Sequence, residues 1–265
     1  MKAADPQDDV VTIRAVRRAL AILRAFRAAD GELPLGQIAQ RAQLDKGTTR
    51  RLLKTLMVER LVEQRDVGMT YSLGMGVLEL AAGLRAGGDL RGQAQPILAE
   101  LATATETTVF LVVMYDREAM CVGRVDGGNT IQIRAFSIGG RLKLHCGAGP
   151  RVLLAHLPDA EQQEFLSGRL EALTAATLTD PAELRVRLQT IRERGWDLAI
   201  DEVVEGVVSL AAPVADADGT VVGTISIAGP HPHMLENGQP RHLAALQSAV
   251  HALQTRLRSP PLLAQ

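Results

Sequence analysis

The sequence predicts an α+β fold made of a small basic unit followed by a larger unit that mixes strands and helices. Its length of 265 residues suits one large domain or two medium ones. Residues 10–72 carry twelve Lys or Arg against six Asp or Glu, whereas residues 73–265 carry sixteen against twenty-one. Apolar residues recur at helical spacing in the first part, and β-rich apolar runs alternate with helical stretches in the second.

The overall composition excludes several classes of protein. Hydrophobic residues make up 46% and charged residues 22%, which argues against long disorder and fibrous repeats. The longest nearly apolar run, 207–215, is half the roughly 18 residues of a membrane span, and the N-terminus has no apolar core of a secretory signal. With two cysteines, Cys121 and Cys146, we expect a cytoplasmic protein without a membrane partner.

Three helices are predicted in the basic unit. Apolar residues at spacings of three and four predict the first over 13–26. A short helix over 35–42 and a third over 46–59 follow, and Asp45 is a suitable N-cap for the third. The apolar stripe of the first helix is Ile13, Val16, Ala19, Leu20, Leu23 and Phe26, and the buried positions expected in the next two are Leu35, Ile38, Ala39, Leu52, Leu53, Leu56 and Met57.

Two helices joined by a short turn, the second of them basic, are typical of a helix-turn-helix. Short side chains beside cationic ones allow a helix to approach the major groove while the cations reach phosphates or guanine edges. Alternation over 61–65 and 70–73 predicts a β-wing. The DNA-binding candidates are Lys46, Thr48, Thr49, Arg50 and Arg51 for base readout, with Gly47 exposed among them and with Lys54 and Arg65 on phosphates. A three-helix bundle with solvated arginines is the alternative.

The second unit is predicted to begin after a linker helix over 73–85. The apolar stripe of this helix must be covered, and a second copy of the chain is its simplest cover. Helices are then expected over 90–105, 149–157, 160–166, 181–194 and 241–258, with strands over 108–115, 119–126, 130–136, 207–215 and 221–228. The predicted domain borders are 1–11 for a flexible N-terminus, 12–73 for the winged unit, 74–89 for the linker helix, 90–258 for the second domain and 259–265 for a tail.

Several stretches together carry a resemblance to a known family. They are RALAILRAF at 18–26, LDKGTTRRLLKTL at 44–56, YSLGMGVLEL at 71–80, RLKLH at 141–145, GPRVLLA at 149–155, AAPV at 211–214 and IAGP at 227–230. In this order they resemble the IclR family of bacterial transcription regulators, and the resemblance runs from residue 12 to residue 230. It implies a winged helix-turn-helix on double-stranded DNA, a GAF-like effector-binding domain with an antiparallel sheet, and a homodimer or homotetramer.

The resemblance also implies where a small-molecule effector would bind. In that family the ligand lies between the sheet and the loop after the His-containing strand. Carried over, the effector site would include His145, Gly147, Ala148, Gly149, Ser209 and Ser226, with Ala199 and Ala228 where the oxoacid-binding version has a carboxylate and a second serine. Fewer polar groups favour a larger or less polar ligand, so we expect an aromatic or hydrophobic carboxylate from catabolism.

The sequence gives less support to other functions. The sequence shows no Gly-x-Ser-x-Gly elbow, no His-Glu-x-x-His and no dinucleotide fingerprint, so an enzyme is the alternative without a visible site. An architectural DNA-binding protein would leave the second unit unexplained. His145–Cys146 lacks the further converging ligands of a metal site, so neither a metal nor another cofactor is expected, although a redox role stays open. Arg151 is expected either to cap a helix start or to face solvent.

Overall fold

The computed structural model describes residues 12–26, 31–65, 69–83, 90–128 and 136–258. The predicted N-terminal segment 1–11, the tail 259–265, the wing tip and nearly all of the strand over 130–136 lie outside the described residues. The chain forms two compact units, Met1–Arg85 and Ala86–Gln265. Among the described residues, no helix is both long and apolar enough to cross a membrane.

The first unit contains the three predicted helices and a small antiparallel sheet. The helices are α1 (Arg14–Ala25), α2 (Leu35–Arg41) and α3 (Lys46–Val58). The strands are β1 (Leu33–Pro34), β2 (Val62–Arg65) and β3 (Thr70–Leu73), in the order β1-β3-β2. The β2–β3 hairpin is the predicted wing, and β1 was not predicted. Buried Ile22, Leu33, Ile38, Leu53 and Val62 belong to one core that joins the helices to the sheet.

The apolar stripe predicted for α1 is not its most buried face. Ile22 and Ala25, which lie outside the stripe, are buried against the core, whereas Ile13, Val16 and Leu20 of the stripe are exposed. The helix packs through its C-terminal half, where the rest of the stripe is half-buried at the edge of the core. Three further positions expected in the core, Leu35, Leu52 and Met57, are half-buried at its margin.

The linker helix begins later than predicted. The observed α4 spans Gly76–Ala82, and Leu73 instead ends β3, where it pairs with Val62. The chain runs so close to the carbonyl of Arg60 that a Cβ atom on Gly74 would lie 2.3 Å from that oxygen. Glycine at this position therefore allows the strand to turn into the helix, which the apolar spacing does not reveal.

The second unit is a six-stranded antiparallel sheet with helices on both faces. Its helices are α5 (Leu90–Thr105), α6 (Ala148–Ala155), α7 (Asp159–Ser167), α8 (Pro181–Arg194), α9 (His231–Met234) and α10 (Leu243–Arg258). The sheet has the order β6-β5-β4-β9-β8-β7, from β4 (Thr108–Tyr115), β5 (Glu118–Asp126), β6 (Arg141–Leu142), β7 (Asp197–Ile200), β8 (Val207–Ala215) and β9 (Val221–Pro230). A two-stranded pair, β10 (Leu235–Glu236) and β11 (Gln239–Pro240), precedes α10. An α+β fold with an antiparallel sheet is thus confirmed.

The alternation of side chains along the strands separates two cores. Val109 and Leu111 of β4 pack with α5 and α10 on one face. Phe110 and Val112 point to the other face, which packs against α6 and α8. Ser209 and Ser226 lie on this second side of β8 and β9, where a pocket opens between the sheet and the beginning of α6.

Candidate DNA-contacting helix and ligand pocket

The start of α3 is fixed by its N-cap. The Asp45 carboxylate accepts a hydrogen bond of 2.8 Å from the backbone N–H of Thr48. This hydrogen bond holds the pKa of Asp45 below its ordinary value. The predicted cap is therefore confirmed, and the first turn of α3 is a rigid frame for its exposed side chains.

The exposed face of α3 is basic. Lys46, Gly47, Arg50, Arg51 and Lys54 are exposed. Thr48 is half-buried, and the Nη2 atom of Arg51 lies 3.5 Å from its Oγ1. The cations follow one another from Lys46 to Lys54, along about two and a half turns of the helix, as contact with a polyanion requires.

The expected exposure of Thr49 was wrong. Its side chain is fully buried, and its hydroxyl donates a 2.9 Å hydrogen bond to the carbonyl of Asp45. Helical spacing places it on the same face as Leu53 and Leu56, which are core residues. Thr49 therefore stabilises the start of the helix and does not belong to the exposed face.

Arg65 ends β2 and forms, with Thr70, the last described pair before the wing tip. It is exposed and forms an ion pair with Glu32, with 3.6 Å between Nε and Oε1. Glu32 also accepts a 2.6 Å hydrogen bond from the hydroxyl of Thr70, the residue that pairs with Arg65 in the sheet. A phosphate contact by Arg65 would therefore compete with Glu32.

The pocket of the second unit has an empty volume of about 560 Å³, with solvent at its mouth included. Its wall is mainly aliphatic and aromatic, and its polar side chains are Ser209, Ser226, Glu202 and Cys146. The apolar side chains come from β4, β6, β7, β8, β9 and the connecting segments, and they are Phe110, Val112, Phe136, Leu142, Ala199, Val203, Val204, Val207 and Ala228. The remaining wall is the start of α6, residues 147–150.

The N-terminus of α6 meets the sheet inside this pocket. The N–H of Ala148 donates to the Oγ of Ser209 over 3.3 Å, and a Cβ atom on Gly149 would lie 3.3 Å from the Cβ of Ser226. Gly147 has a φ of 82°, and a side chain there would strike Val203 at 2.9 Å. A helix N-terminus attracts anions, so this part of the wall suits a negatively charged group.

An ion-pair cluster lies directly behind the pocket wall. Arg151 is fully buried, with its Nε 2.7 Å from Asp197 and two of its nitrogens 2.5 and 2.8 Å from Glu202. Burial opposes the charged form, but the charge of Asp197 and the hydrogen bonds to Glu202 outweigh it and raise the pKa of Arg151. Asp197 also accepts a 2.9 Å bond from Arg194. Both expectations for Arg151, a helix-start cap and a solvent-facing side chain, were wrong, because its charge is neutralised by carboxylates distant in the sequence.

His145 lies in a turn, not in a strand, and does not line the pocket. Its Nε2 is 3.0 Å from the carbonyl of Glu171 and must be the donor, which leaves Nδ1 as a buried acceptor without a partner among the described residues. Burial lowers the pKa of His145, which favours the neutral form of the ring. In the described part of the chain, no three His, Cys, Asp or Glu side chains could hold a metal ion.

Comparisons with known proteins cover both units. A family model described as the IclR helix-turn-helix domain matches residues 15–66, and one described as the C-terminal part of the bacterial transcriptional regulator IclR matches residues 85–255. The second match alone covers more than half of the chain. The chain belongs to the IclR family of bacterial transcriptional regulators. It is accordingly a DNA-binding regulator with an effector-binding domain and not an enzyme.

Individual IclR-family relatives can be aligned with this chain along most of their length. The glycerol operon regulatory protein of Streptomyces griseus is 32% identical over 86% of this chain and 89% of its own. The Pca regulon regulatory protein of Pseudomonas putida is 31% identical over 79% and 72%, respectively. Among solved structures, Pseudomonas aeruginosa HmgR is 26% identical over 93% of this chain and all of its own, with a TM-score of 0.74.

A further structural neighbour shows the shared fold. It is an IclR homolog of Microbacterium hydrocarbonoxydans complexed with 4-hydroxybenzoate, with a TM-score of 0.81, 24% identity, and coverage of 92% of this chain and 98% of its own.

Seven of the eight residues that the IclR resemblance assigned to the effector site line the pocket here, and His145 does not. The seven are Gly147, Ala148, Gly149, Ala199, Ser209, Ser226 and Ala228.

Sequence reasoning missed several residues of the pocket. Phe110 and Val112 alternate along β4 in a run that is apolar on both faces, so the pattern does not say which residues face the pocket. Glu202, Val203 and Val204 lie on the connection between β7 and β8. Their position in the pocket follows from the fold of that connection, and no local sequence pattern indicates it.

Proposed function

We propose that this IclR-family regulator changes its operator binding in response to an aromatic or hydrophobic carboxylate in the pocket. The observation that carries the proposal is the chemistry of the wall. Phe110 and Phe136 give the wall aromatic rings that suit an apolar body, and the N-terminus of α6 with Ser209 and Ser226 offers donors for an anionic end. Ala199 and Ala228 leave the remaining strand positions apolar.

The relatives support this choice of ligand class. One of them carries the name of a Pca regulon regulator, and the Microbacterium homolog that shares the fold was complexed with 4-hydroxybenzoate. A titration calorimetry series with the full-length protein tests the proposal, using benzoate and 4-hydroxybenzoate against glyoxylate, pyruvate and glycerol. Binding of at least one aromatic acid is expected. Tight binding of glyoxylate or glycerol with no response to either aromatic acid would overturn the proposal.

The operator is expected to meet the exposed face of α3. Lys46, Thr48, Arg50 and Arg51 are the proposed readout residues around Gly47, and Lys54 and Arg65 are the proposed phosphate contacts. Gel retardation of the DNA upstream of the regulator's own gene, with and without the acids above, measures both DNA affinity and its response to ligand. Retardation that no ligand alters would favour a ligand-independent DNA-binding protein.

Self-association is proposed through the first unit. Large apolar side chains are exposed along α1 and its N-cap and around α4. They are Ile13, Val16 and Leu20 in the first set and Met75, Leu78 and Leu80 in the second. Burying such side chains against a second copy would gain about 25 cal/mol per Å² of apolar surface. Light scattering after size exclusion is expected to give a dimer or a tetramer, and charging the face with Leu20→Glu should shift the protein towards smaller species.

A further inference from the structure

The connection from β7 to β8, residues 201–206, forms one side of the pocket and is called the pocket loop below. Glu202, Val203 and Val204 all line the pocket. The loop is closed at its base by Asp201, which has a φ of 62°. The carboxylate of Asp201 accepts a 2.6 Å hydrogen bond from the N–H of Gly206. The backbone N–H of Asp201 donates a 2.9 Å hydrogen bond to the carbonyl of Val207. The carboxylate therefore ties the end of the loop to its beginning.

A histidine from another element holds the same carboxylate oxygen. The Nε2 of His231 lies 2.7 Å from Oδ1 of Asp201, and the hydrogen bond from His231 lowers the pKa of that carboxyl. His231 is the first residue of α9, directly after β9, which contributes Ser226 and Ala228 to the pocket. The side-chain contact thus links the pocket loop to the end of β9, next to the backbone pair of Val207 and Pro230.

The backbone of the loop has separate supports. The hydroxyl of Thr174 donates to the carbonyl of Asp201 over 2.7 Å, and the hydroxyl of Thr177 donates to that of Glu202 over 2.6 Å. These bonds do not involve His231. Loss of the imidazole should therefore leave the Asp201 carboxylate with the Gly206 N–H alone and loosen the end of the loop, while the sheet and its connections stay folded.

We propose that His231 is a positioning residue for the effector site, which holds the pocket loop in its binding shape through Asp201 without touching the ligand. The inference rests on the proposed function of the pocket. It predicts that removal of the imidazole weakens effector binding because the free protein then spends part of its time with the loop displaced. A conservative donor at the same place should restore binding.

Amide hydrogen exchange of the full-length protein tests the loop without any ligand. In His231→Ala the exchange of the Gly206 amide should accelerate about tenfold, and His231→Gln, which keeps an amide donor near the Nε2 position, should restore most of its protection. His233→Ala is the matched control. This residue shares α9, but its Nε2 lies 2.8 Å from the carbonyl of Thr105, so its loss should leave Gly206 unchanged. Unaltered exchange at Gly206 in His231→Ala would overturn the proposal.

Calorimetric titration with 4-hydroxybenzoate then measures the consequence for binding. The Kd of His231→Ala should rise about tenfold, while His231→Gln and His233→Ala stay within about twofold of the parent protein. A loosened loop with an unchanged Kd would also overturn the positioning role. If the parent protein itself binds no aromatic acid, the proposed effector class is wrong, and the exchange result still decides whether His231 holds the loop.

Discussion

Arg151 and Glu202, 51 residues apart in the chain, form a two-pronged ion pair with nitrogen–oxygen distances of 2.5 and 2.8 Å. The pair joins the start of α6 to the pocket loop, and Asp197 at the start of β7 binds the same guanidinium. Two pocket walls therefore meet at one buried cation. A buried charge is tolerated only while its partners remain, so each of these walls depends on Arg151.

Arg151→Met should lower the free energy of unfolding by about 3–5 kcal/mol, because the buried carboxylate of Glu202 would lose its cation and Asp197 would keep only partly exposed arginines. Urea denaturation of the full-length protein gives this quantity. Arg117→Met is the matched control, since its pair with Glu164 is exposed and its loss should have little effect. A change below about 1 kcal/mol in Arg151→Met would mean that solvent reaches the cluster.

The two thiols should be inert in the folded protein. Burial raises the pKa of both Cys121 and Cys146 to about 11. At about pH 8 iodoacetamide should therefore alkylate neither residue at an appreciable rate, whereas both should react in urea. Mass spectrometry after a timed reaction distinguishes the two cases. Rapid alkylation of native Cys146, which lines the pocket, would instead support the redox role left open by the sequence.

The same shifts give a dependence of stability on pH. A raised pKa means that the folded state binds the thiol proton more tightly than the unfolded chain does. This contribution is complete below the ordinary value of 9.0 and is lost as the pH rises to about 11. Urea denaturation gives the free energy of unfolding of each protein at neutral pH and at pH values between these limits. The fall from the neutral value should be smaller in Cys121→Ala than in the parent protein.

The predicted bounds of a helix or strand were accurate where local sequence signals mark both of its ends. The limits of α8 were predicted correctly because Asp180 caps its start, proline occupies its first position, and Gly195 ends it with a φ of 76°. The two-residue strand β6 carries no such signal, since only its pairing with the distant β5 creates it. The β10–β11 hairpin does carry one, Asn237-Gly238 with positive φ at both residues, and it was missed. β7 was also missed, because it is short and begins with the charged Asp197.

In the candidate sites, residue type gave the chemistry but not always the direction of the side chain. A threonine next to arginines on a basic helix is compatible with either face, and the core residues of the unit decide that Thr49 points inward. A charged side chain such as that of Arg151 is expected to be exposed unless the carboxylates that neutralise it are known. Those partners are 46 and 51 residues away in the sequence, so no local pattern could reveal them.

Thr48 and Thr49 should separate DNA contact from helix stability. Thr49→Val keeps the shape of the side chain but removes the hydrogen bond to Asp45, so unfolding should become easier by about 1 kcal/mol. Operator affinity measured well below the melting temperature should hardly change. Thr48→Val should do the opposite, with lower affinity and near-parental stability. The proposed readout role of Thr48 fails if its variant retains full operator affinity.

Arg50 and Lys54 should differ in how they affect operator binding. Arg50→Ala should cost about 1–3 kcal/mol and relax the base preference at one position if its guanidinium reads a guanine edge. Lys54→Ala should weaken binding to all sequences alike and reduce the slope of log K against log salt by about one. Fluorescence anisotropy across a salt series measures both effects. Arg169→Ala, an exposed cation of the second unit, is the control for the loss of charge.

Ala199→Asp should reverse the ligand preference of the pocket. Ala199 is buried in β7 beside Ser209, and a carboxylate there would meet the anionic end of an aromatic acid in a poorly solvated wall. The Kd for 4-hydroxybenzoate should rise at least about tenfold in calorimetric titration, while a ligand able to donate hydrogen bonds to the new carboxylate loses less. Ala217→Asp, which adds the same charge to the exposed turn between β8 and β9, should leave the Kd unchanged. Equal Kd values for the parent and Ala199→Asp would show that the acid binds away from β7 and would contradict the proposed site.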